Sequence, residues 1–195
     1  MSDIILFGFA QSSYVRTARL VLEEKGVGYD MADIEFGSES HRALHPFVKI
    51  PILQHGQVRL FETSAIAHYV DEAFAGPPLR PADAAGRAEV EQWISAVVDY
   101  LYDAMIRGVV YQRLVVPSRG GNPDETLIAE AVPKVEYQLD VVEGRLADTE
   151  FMVGGELSLA DLFLLPILFY LGRTPEGGKL LAKRQGCSAW LERLA

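Results

Sequence analysis

Three short segments in the first third of the sequence carry residue types that could do chemistry. They are residues 8–13 (GFAQSS), 45–51 (HPFVKIP) and 61–66 (FETSAI). The first offers a hydroxyl at a predicted helix start, the second an extended backbone, and the third another helix start, which can hold a carboxylate. A peptide that carries a thiol would need all three features. Each segment is a weak signal alone, and their order and spacing carry the prediction.

The composition argues against several classes of partner. The 195 residues carry a formal net charge of -9 at pH 7. This charge opposes nucleic acid or an anionic membrane as the main partner, because both reward clustered Lys and Arg. No stretch approaches the ~20 apolar residues that a membrane span needs, and residues 1–3 do not lead into a signal peptide. We therefore expect a cytoplasmic protein with no nucleic acid and no membrane among its partners.

The cysteine and histidine content argues against a metal centre. Cys187 is the only cysteine, which excludes an intramolecular disulfide and a cysteine-based zinc cluster. It is interpreted as a packed thiol at a helix start. His41, His45, His55 and His68 show no metal-ligand spacing and are interpreted as surface or structural residues. No metal site is predicted.

Hydrophobic patterns in the first half predict a small mixed α/β unit. An apolar run that ends at Gly8 is typical of a buried strand, and Val15, Ala18 and Leu22 then recur at helical spacing. A second strand joined to the first through that helix should run parallel to it. A connection with a possible short helix, an antiparallel hairpin and a third helix follow. The predicted strands are 4–7, 29–34, 52–53 and 58–61, the connection is 36–44, and the last helix is 63–74.

The second half is predicted to be helical. Residues 76–81 (GPPLRP) cannot continue a helix and mark the boundary. Asn122 is predicted to cap a helix that reaches about Leu146, in which Pro133 implies a kink or a break. Residues 162–171 are almost wholly apolar and predict a helix buried on all sides. One face of a long helix ending near Pro117 is marked by Val90, Ile94, Val97, Leu101, Ala104 and Gly108.

The motif set is completed by Ser158-x-x-Asp161, whose spacing predicts a reciprocal helix cap, and by the late Trp190. Together with the α/β unit, the proline-rich linker and the helical second half, the motifs resemble the cytosolic glutathione transferase family over essentially the whole chain. The similarity is to its serine-type, bacterial-like members. The matching motifs are Gly8 with Ser12, Pro46-Phe47-x-Lys49-Ile50-Pro51, Glu62-Thr63-x-Ala65-Ile66, Ser158-x-x-Asp161 and Trp190.

The resemblance implies a fold and a domain organisation. We expect an α/β thioredoxin-like N-terminal domain with a mixed four-stranded sheet, followed by an all-α C-terminal domain. The expected glutathione-binding domain is 1–75, the linker 76–84 and the helical domain 85–195. Family members also imply a homodimer.

Ser12 matches the catalytic serine of serine-type transferases. A thiol reacts as its thiolate, and a hydroxyl donor at the positive end of a helix stabilises that anion. Ser13 is the fallback, and Tyr14 is a further alternative, although tyrosine-type members carry theirs on the first strand. Both serines could instead simply cap the helix. No cysteine occurs here, which argues against the cysteine-type branches.

The resemblance implies the remaining glutathione contacts. Ile50-Pro51 matches a cis-proline whose preceding residue pairs with the cysteinyl part of glutathione; an ordinary trans proline is the alternative. Glu62 would meet the ammonium group, and Thr63 with the free amides of its helix would hold the γ-glutamyl carboxylate, unless Thr63 or Ser64 is only an N-cap. Lys49 could reach the glycyl carboxylate. The implied substrate-binding residues are Ser13, Lys49, Ile50, Pro51, Glu62 and Thr63.

One departure from the family lies within the second motif, where Val48 stands at a position that is commonly glycine. No residue is carried over from the short connection 36–44. The implied activity is conjugation of glutathione to an electrophilic, partly apolar small molecule, with glutathione as co-substrate and no other cofactor. The alternatives are a glutathione-dependent isomerase or dehalogenase and a noncatalytic binding or regulatory module.

Overall fold

The computed structural model describes residues 3–194 and divides into two compact units, one ending at Leu79 and the other beginning at Arg80. The division falls inside the segment predicted to be a linker. Met1 and Ser2, on which the expectation of no signal peptide partly rests, lie outside the described residues. In the described part of the chain, no helix combines the length and the apolar composition needed to cross a bilayer.

The first unit contains a four-stranded mixed sheet and three helices. The strand order is β2-β1-β3-β4, with β1 parallel to β2 and antiparallel to β3, and β3 antiparallel to β4. The predicted mixed sheet and the parallel first pair are therefore confirmed. The elements are β1 Ile4–Phe7, α1 Ser13–Glu24, β2 Asp30–Ala32, α2 Glu39–Leu44, β3 Ile52–His55, β4 Val58–Phe61 and α3 Thr63–Ala73.

The core of the first unit lies between apolar helix faces and the sheet. Val15, Ala18 and Leu22 of α1 are buried as their spacing predicts, and α1 packs against α3. Ile66 and Val70 of α3 are buried too. Their burial fixes how α1 and α3 are rotated about their axes, and thereby the positions of the two helix starts.

The second unit is all-helical, which confirms the predicted fold class of the second half. The helix starting at Ala84 continues without interruption to residue 118, and its middle part is a π-helix. There the backbone amide of Val116 donates to the carbonyl of Tyr111, five residues back. The elements are α4 Ala84–Ala96, π1 Val97–Val115, α5 Val116–Ser118, α6 Glu125–Leu146, α7 Leu159–Leu171, α8 Pro175–Leu181 and α9 Gln185–Leu194.

The long helix buries the face that its sequence predicts. All six residues of that face are buried: Val90, Ile94, Val97, Leu101, Ala104 and Gly108. Gly108 is required there, because a Cβ at this position would lie 2.6 Å from the Cβ of Ala131 in α6. The two helices therefore approach closely at a residue without a side chain.

The expected N-cap of α6 is wrong, and of the kink or break expected at Pro133 the break is absent. The N-cap is Asp124 and not Asn122, because the Asp124 carboxylate accepts from the amides of Thr126 and Leu127 at 3.0 Å. No break occurs at Pro133, and the helix runs continuously past it. Pro133 is exposed, so its ring does not disturb the buried stripe on the opposite face, and that stripe holds the helix together.

Helix α7 is buried on nearly all sides, as predicted, and its first turn is capped by Asp161. The Asp161 Oδ2 atom accepts from the backbone amide of Ser158 at 3.0 Å and from its hydroxyl at 2.8 Å. The predicted reciprocal cap is present. Buried amides at a helix start need such partners because water cannot reach them.

Candidate functional site

Strand register brings the three chemically suggestive segments to one edge of the sheet. Phe7 at the end of β1 is paired with Ile52 at the start of β3, and Ile52 is paired with Phe61 at the end of β4. Neighbouring strands lie about 4.8 Å apart. Three chain segments therefore lie side by side at this edge of the sheet. One begins with Gly8, one ends with Pro51 and one begins with Glu62.

Ser12 is the N-cap of α1. Its Oγ atom accepts from the amide of Val15 at 3.4 Å, and its own amide donates to the Phe9 carbonyl at 3.1 Å. The side chain is half-buried, whereas that of the next residue, Ser13, is buried. Because the Val15 bond uses Oγ as an acceptor, the hydroxyl proton can still be donated to an anion at the positive end of the helix.

Gly8 brings the loop that carries Ser12 against the second segment. Its φ angle is +140°, and a Cβ at Gly8 would lie 2.6 Å from Val15 Cγ2 and 3.3 Å from Ile50 Cβ. A side chain is excluded both by the backbone conformation and by these neighbours. Glycine here lets β1 turn into α1 directly beside Ile50.

The second segment ends in a cis peptide bond between Ile50 and Pro51, as the resemblance implied. Pro51 is buried and Ile50 is half-buried. Within residues 3–194, no hydrogen bond joins the backbone amide or carbonyl of Ile50 to another group. Lys49 lies on the same segment with its side chain exposed. The segment therefore presents backbone polar groups and a cation beside Gly8.

The third segment presents an open helix start. Glu62 has φ +69° and ψ 122°, a region that residues with side chains rarely occupy. Within the described residues, no side chain caps α3. Thr63 is buried at the first helical position, and Glu62 is exposed. The first amides of α3 and the Glu62 carboxylate can therefore bind an ammonium group and a carboxylate held on the same carbon.

His41 and His45, which the sequence marked only as surface or structural residues, are both buried and both bind the second segment. The His41 Nε2 atom lies 3.0 Å from the Lys49 carbonyl oxygen, and the amide of Phe47 donates to His45 Nδ1 at 3.1 Å. Burial lowers the pKa of His45 against the opposing effect of the Glu62 carboxylate, and the charge of Lys49 lowers it further. The position of His45 directly before Pro46-Phe47 was the only sequence signal for this role.

The positions of the His, Cys, Asp and Glu side chains were compared with those needed to bind a metal ion. Among residues 3–194, no group of three or more His, Cys, Asp or Glu side chains could hold a metal ion. Cys187 is fully buried in α9, and burial together with the neighbouring Glu143 raises its pKa to about 12. This thiol is therefore protonated and unreactive in the folded protein.

Comparison with known proteins identifies the family. The model of the glutathione S-transferase N-terminal domain matches residues 6–78, and that of the glutathione S-transferase C-terminal domain matches residues 100–195. A similar curated protein is a probable glutathione S-transferase, GSTF1, of Oryza sativa subsp. japonica, which is 32% identical over 100% of this chain and 92% of its own length.

Solved glutathione S-transferase structures resemble this chain over nearly its whole length. Glutathione S-transferase III in its apo form has a TM-score of 0.90 and 32% identity, with 98% of this chain and 90% of that chain covered. Maize glutathione S-transferase I in complex with an atrazine glutathione conjugate has a TM-score of 0.87 and 30% identity, with 98% and 91% covered. The chain belongs to the glutathione S-transferase family. It is a transferase that joins glutathione to electrophilic small molecules.

Proposed function

We propose that Ser12 activates glutathione for this reaction by donating a hydrogen bond from its hydroxyl to the thiolate sulfur. The observation that carries the proposal is the position of Ser12 at the start of α1, in the loop that begins with Gly8 beside Ile50, on the edge where Glu62 also leaves the sheet. The donor and the positive helix end favour the anion over the thiol, so the pKa of the bound thiol falls. The thiol proton is released to solvent.

The ionised sulfur then attacks the electrophilic carbon of the second substrate. A carbon–sulfur bond forms as the bond to the leaving group breaks, and the leaving group departs with its electron pair. The enzyme lowers the barrier by holding the two reactants in contact and by keeping the sulfur charged. No metal ion or further cofactor takes part in the steps we propose.

The rest of glutathione is proposed to bind along the sheet edge. The free amide and carbonyl of Ile50 would pair with the cysteinyl residue as an added strand, with Pro51 setting the direction of the chain. Glu62 would bind the ammonium group, and Thr63 with the α3 amides the γ-glutamyl carboxylate. Lys49 would reach the glycyl carboxylate, and Ser13 would contribute to glutathione binding next to Ser12.

An apolar electrophile is supported by two aromatic side chains beside the Ser12 loop. Phe9, whose carbonyl accepts from Ser12, is 45% exposed, and Phe36 is 52% exposed. Their ring centroids lie 6.0 Å apart. Exposed neighbouring rings offer an apolar surface for a planar substrate. We therefore propose that the electrophile is partly apolar and that the physiological role is detoxification.

We also propose a cytoplasmic homodimer, with a domain organisation of 1–75, 76–84 and 85–195. Phe47 supports self-association, because it is 67% exposed and large exposed apolar side chains are enriched in interface cores. Sedimentation of the purified protein tests this proposal. A Phe47→Asp variant should sediment as a smaller species than the wild type, and an unchanged monomeric value for both proteins would contradict it.

The catalytic proposal is tested by Ser12→Ala, assayed with an aryl halide at saturating glutathione. We expect the turnover rate to fall by about 10²-fold, because a single preorganised donor to a developing anion has this size of effect. Calorimetric titration should show that glutathione still binds. Ser118→Ala, which changes an exposed serine outside the proposed site, is the matched control and should retain full activity. Unchanged turnover in Ser12→Ala would show that Ser12 does not activate the thiol. If the wild type bound glutathione but turned over none of the electrophiles, a noncatalytic binding module would be favoured instead.

A further inference from the structure

The side chain of His41 bridges two backbone groups that lie outside regular secondary structure. It is wholly buried in α2. The backbone amide of Gly37 donates to Nδ1 at 3.3 Å, and Nε2 lies 3.0 Å from the carbonyl oxygen of Lys49. A backbone N–H can only donate and a carbonyl can only accept. These partners therefore define one tautomer, with the proton on Nε2 and a lone pair on Nδ1.

The bond to Lys49 also fixes the direction of the next amide. The Lys49 carbonyl and the Ile50 amide belong to one planar peptide group, and the cis bond in this segment is the following one, between Ile50 and Pro51. In a trans peptide, the C=O and N–H groups point in opposite directions. His41 on the carbonyl side therefore aims the Ile50 N–H away from itself, where none of residues 3–194 accepts a hydrogen bond from it.

Little else holds this peptide group in place. It lies between the end of α2 at Leu44 and the start of β3 at Ile52, so no strand ladder fixes it. Val48 just before it has φ +54°, a conformation that a β-branched residue adopts only when its surroundings impose it. A donor on the Lys49 carbonyl also polarises the peptide group and makes its N–H a stronger donor.

We propose that His41 is a positioning residue for glutathione, which orients and polarises the Ile50 amide that binds the cysteinyl residue. This inference rests on the proposed role of Ile50. His41 does not touch the substrate or the reacting sulfur. Its effect is on the binding of glutathione, and the rate of the chemical step at saturation is left unchanged.

Two amide variants separate the two hydrogen bonds of His41. In His41→Gln, the amide nitrogen reaches the place of Nε2 and can donate to Lys49, whereas in His41→Asn the amide oxygen takes the place of Nδ1 and can accept from Gly37. Both variants lose the contact of the imidazole with the Phe36 ring, whose centroid is 4.9 Å away. The two variants therefore lose the same ring contact. They differ in that His41→Gln keeps the hydrogen bond to Lys49, whereas His41→Asn keeps the one from Gly37.

Steady-state kinetics with an aryl halide give the first readout. We expect His41→Asn to raise the KM for glutathione by about tenfold, the size of one lost hydrogen bond, while kcat stays within about threefold. His41→Gln should keep the KM near the wild-type value. Equal KM values in the two variants, or a fall in kcat without a change in KM, would overturn the proposal.

Two NMR measurements on the wild type keep the test independent of the variants' stability. The ¹⁵N shifts of the His41 ring should report a proton on Nε2, and the Ile50 amide proton should move downfield when glutathione is added. A proton on Nδ1 overturns the proposal about His41. If wild-type glutathione binding leaves Ile50 unaffected, the assignment of the site fails instead, so the two failures are distinguishable.

Discussion

The indole of Trp190 donates a hydrogen bond from Nε1 to Oδ1 of Asp161 at 2.9 Å, and both side chains are buried. The same oxygen accepts from the amide of Met152 at 2.8 Å, while Oδ2 accepts from Ser158. One carboxylate therefore joins α9, the segment before α7 and the first turn of α7. This carboxylate stabilises the second unit. Its partners are buried donors, and without Asp161 water could not accept hydrogen bonds from them.

Asp161→Asn should destabilise the protein by about 3 kcal/mol, because an amide nitrogen would face donors in place of an acceptor. Urea-induced unfolding followed by circular dichroism measures the change. Trp190→Phe is the matched control. It removes one donor and keeps a ring, so a loss of about 1–2 kcal/mol is expected. A smaller loss for Asp161→Asn than for Trp190→Phe would contradict this account.

Lys25 forms a buried ion pair with Asp71. The Nζ–Oδ1 distance is 3.3 Å, and the two side chains are 3% and 7% exposed. Lys25→Met should lower the free energy of unfolding by about 3–5 kcal/mol, because it removes a cation that lies next to a buried carboxylate. The double variant Lys25→Met/Asp71→Asn should be more stable than the single variant in chemical denaturation. A single variant as stable as the wild type would show that the pair is not buried in solution.

Replacing Val48 by glycine should remove backbone strain, because its φ angle of +54° suits glycine and opposes a β-branched side chain. Glycine also gains entropy in the unfolded chain, so the expected net gain in stability is only about 0.5–1 kcal/mol. Val58→Gly, in a strand without a positive φ angle, is the control and should be destabilising. The melting temperatures of both variants are measured by thermal unfolding. If that of Val48→Gly were as low as that of Val58→Gly, the backbone at Val48 would not be strained.

His45 should reduce stability at acid pH. Its folded pKa lies below the ordinary value of about 6.5. The unfolded chain therefore takes up a proton as the pH falls below that value, while the folded protein does not. Stability is lost from about pH 6.5 downward until the folded pKa is reached, at no more than about 1.4 kcal/mol per pH unit.

His45→Asn removes this titration and keeps an acceptor near the place of Nδ1 for the Phe47 amide. Denaturation curves at pH 7.5 and 5.5 should show a smaller loss for His45→Asn than for the wild type. The remaining acidic and histidine residues are the same in both proteins, so the comparison isolates the contribution of His45 and its interaction with Glu62. Identical pH dependence in the two proteins would mean that burial does not depress the pKa of His45.

The sequence predicted the fold because the patterns that determine it are local and repetitive. Apolar spacing in α1 and along the long helix located the buried faces, and the turn after His55 located the hairpin. The π-helical winding of Val97–Val115 was missed, because the predicted face is buried in either winding. Asn122 and Asp124 are both good caps, and the choice of Asp124 depends on where the helix meets its neighbours.

The candidate site was only partly predictable for a similar reason. Ser12, Glu62 and the Ile50-Pro51 pair stand in motifs that a family resemblance can transfer. His41 and His45 do not, because their role depends on which backbone groups the fold brings next to them. The sequence around a histidine does not show whether its ring faces water or hydrogen-bonds to a carbonyl oxygen.

The burial of Cys187 has a practical consequence for work with this transferase. Since its only sulfhydryl stays protonated and enclosed, alkylating reagents offered as test electrophiles should be consumed by glutathione and leave the polypeptide unlabelled. Oxidants likewise find no exposed thiol through which two copies of the chain could become linked by a disulfide. Loss of activity during storage or turnover would then not be caused by modification of the Cys187 thiol in the folded protein.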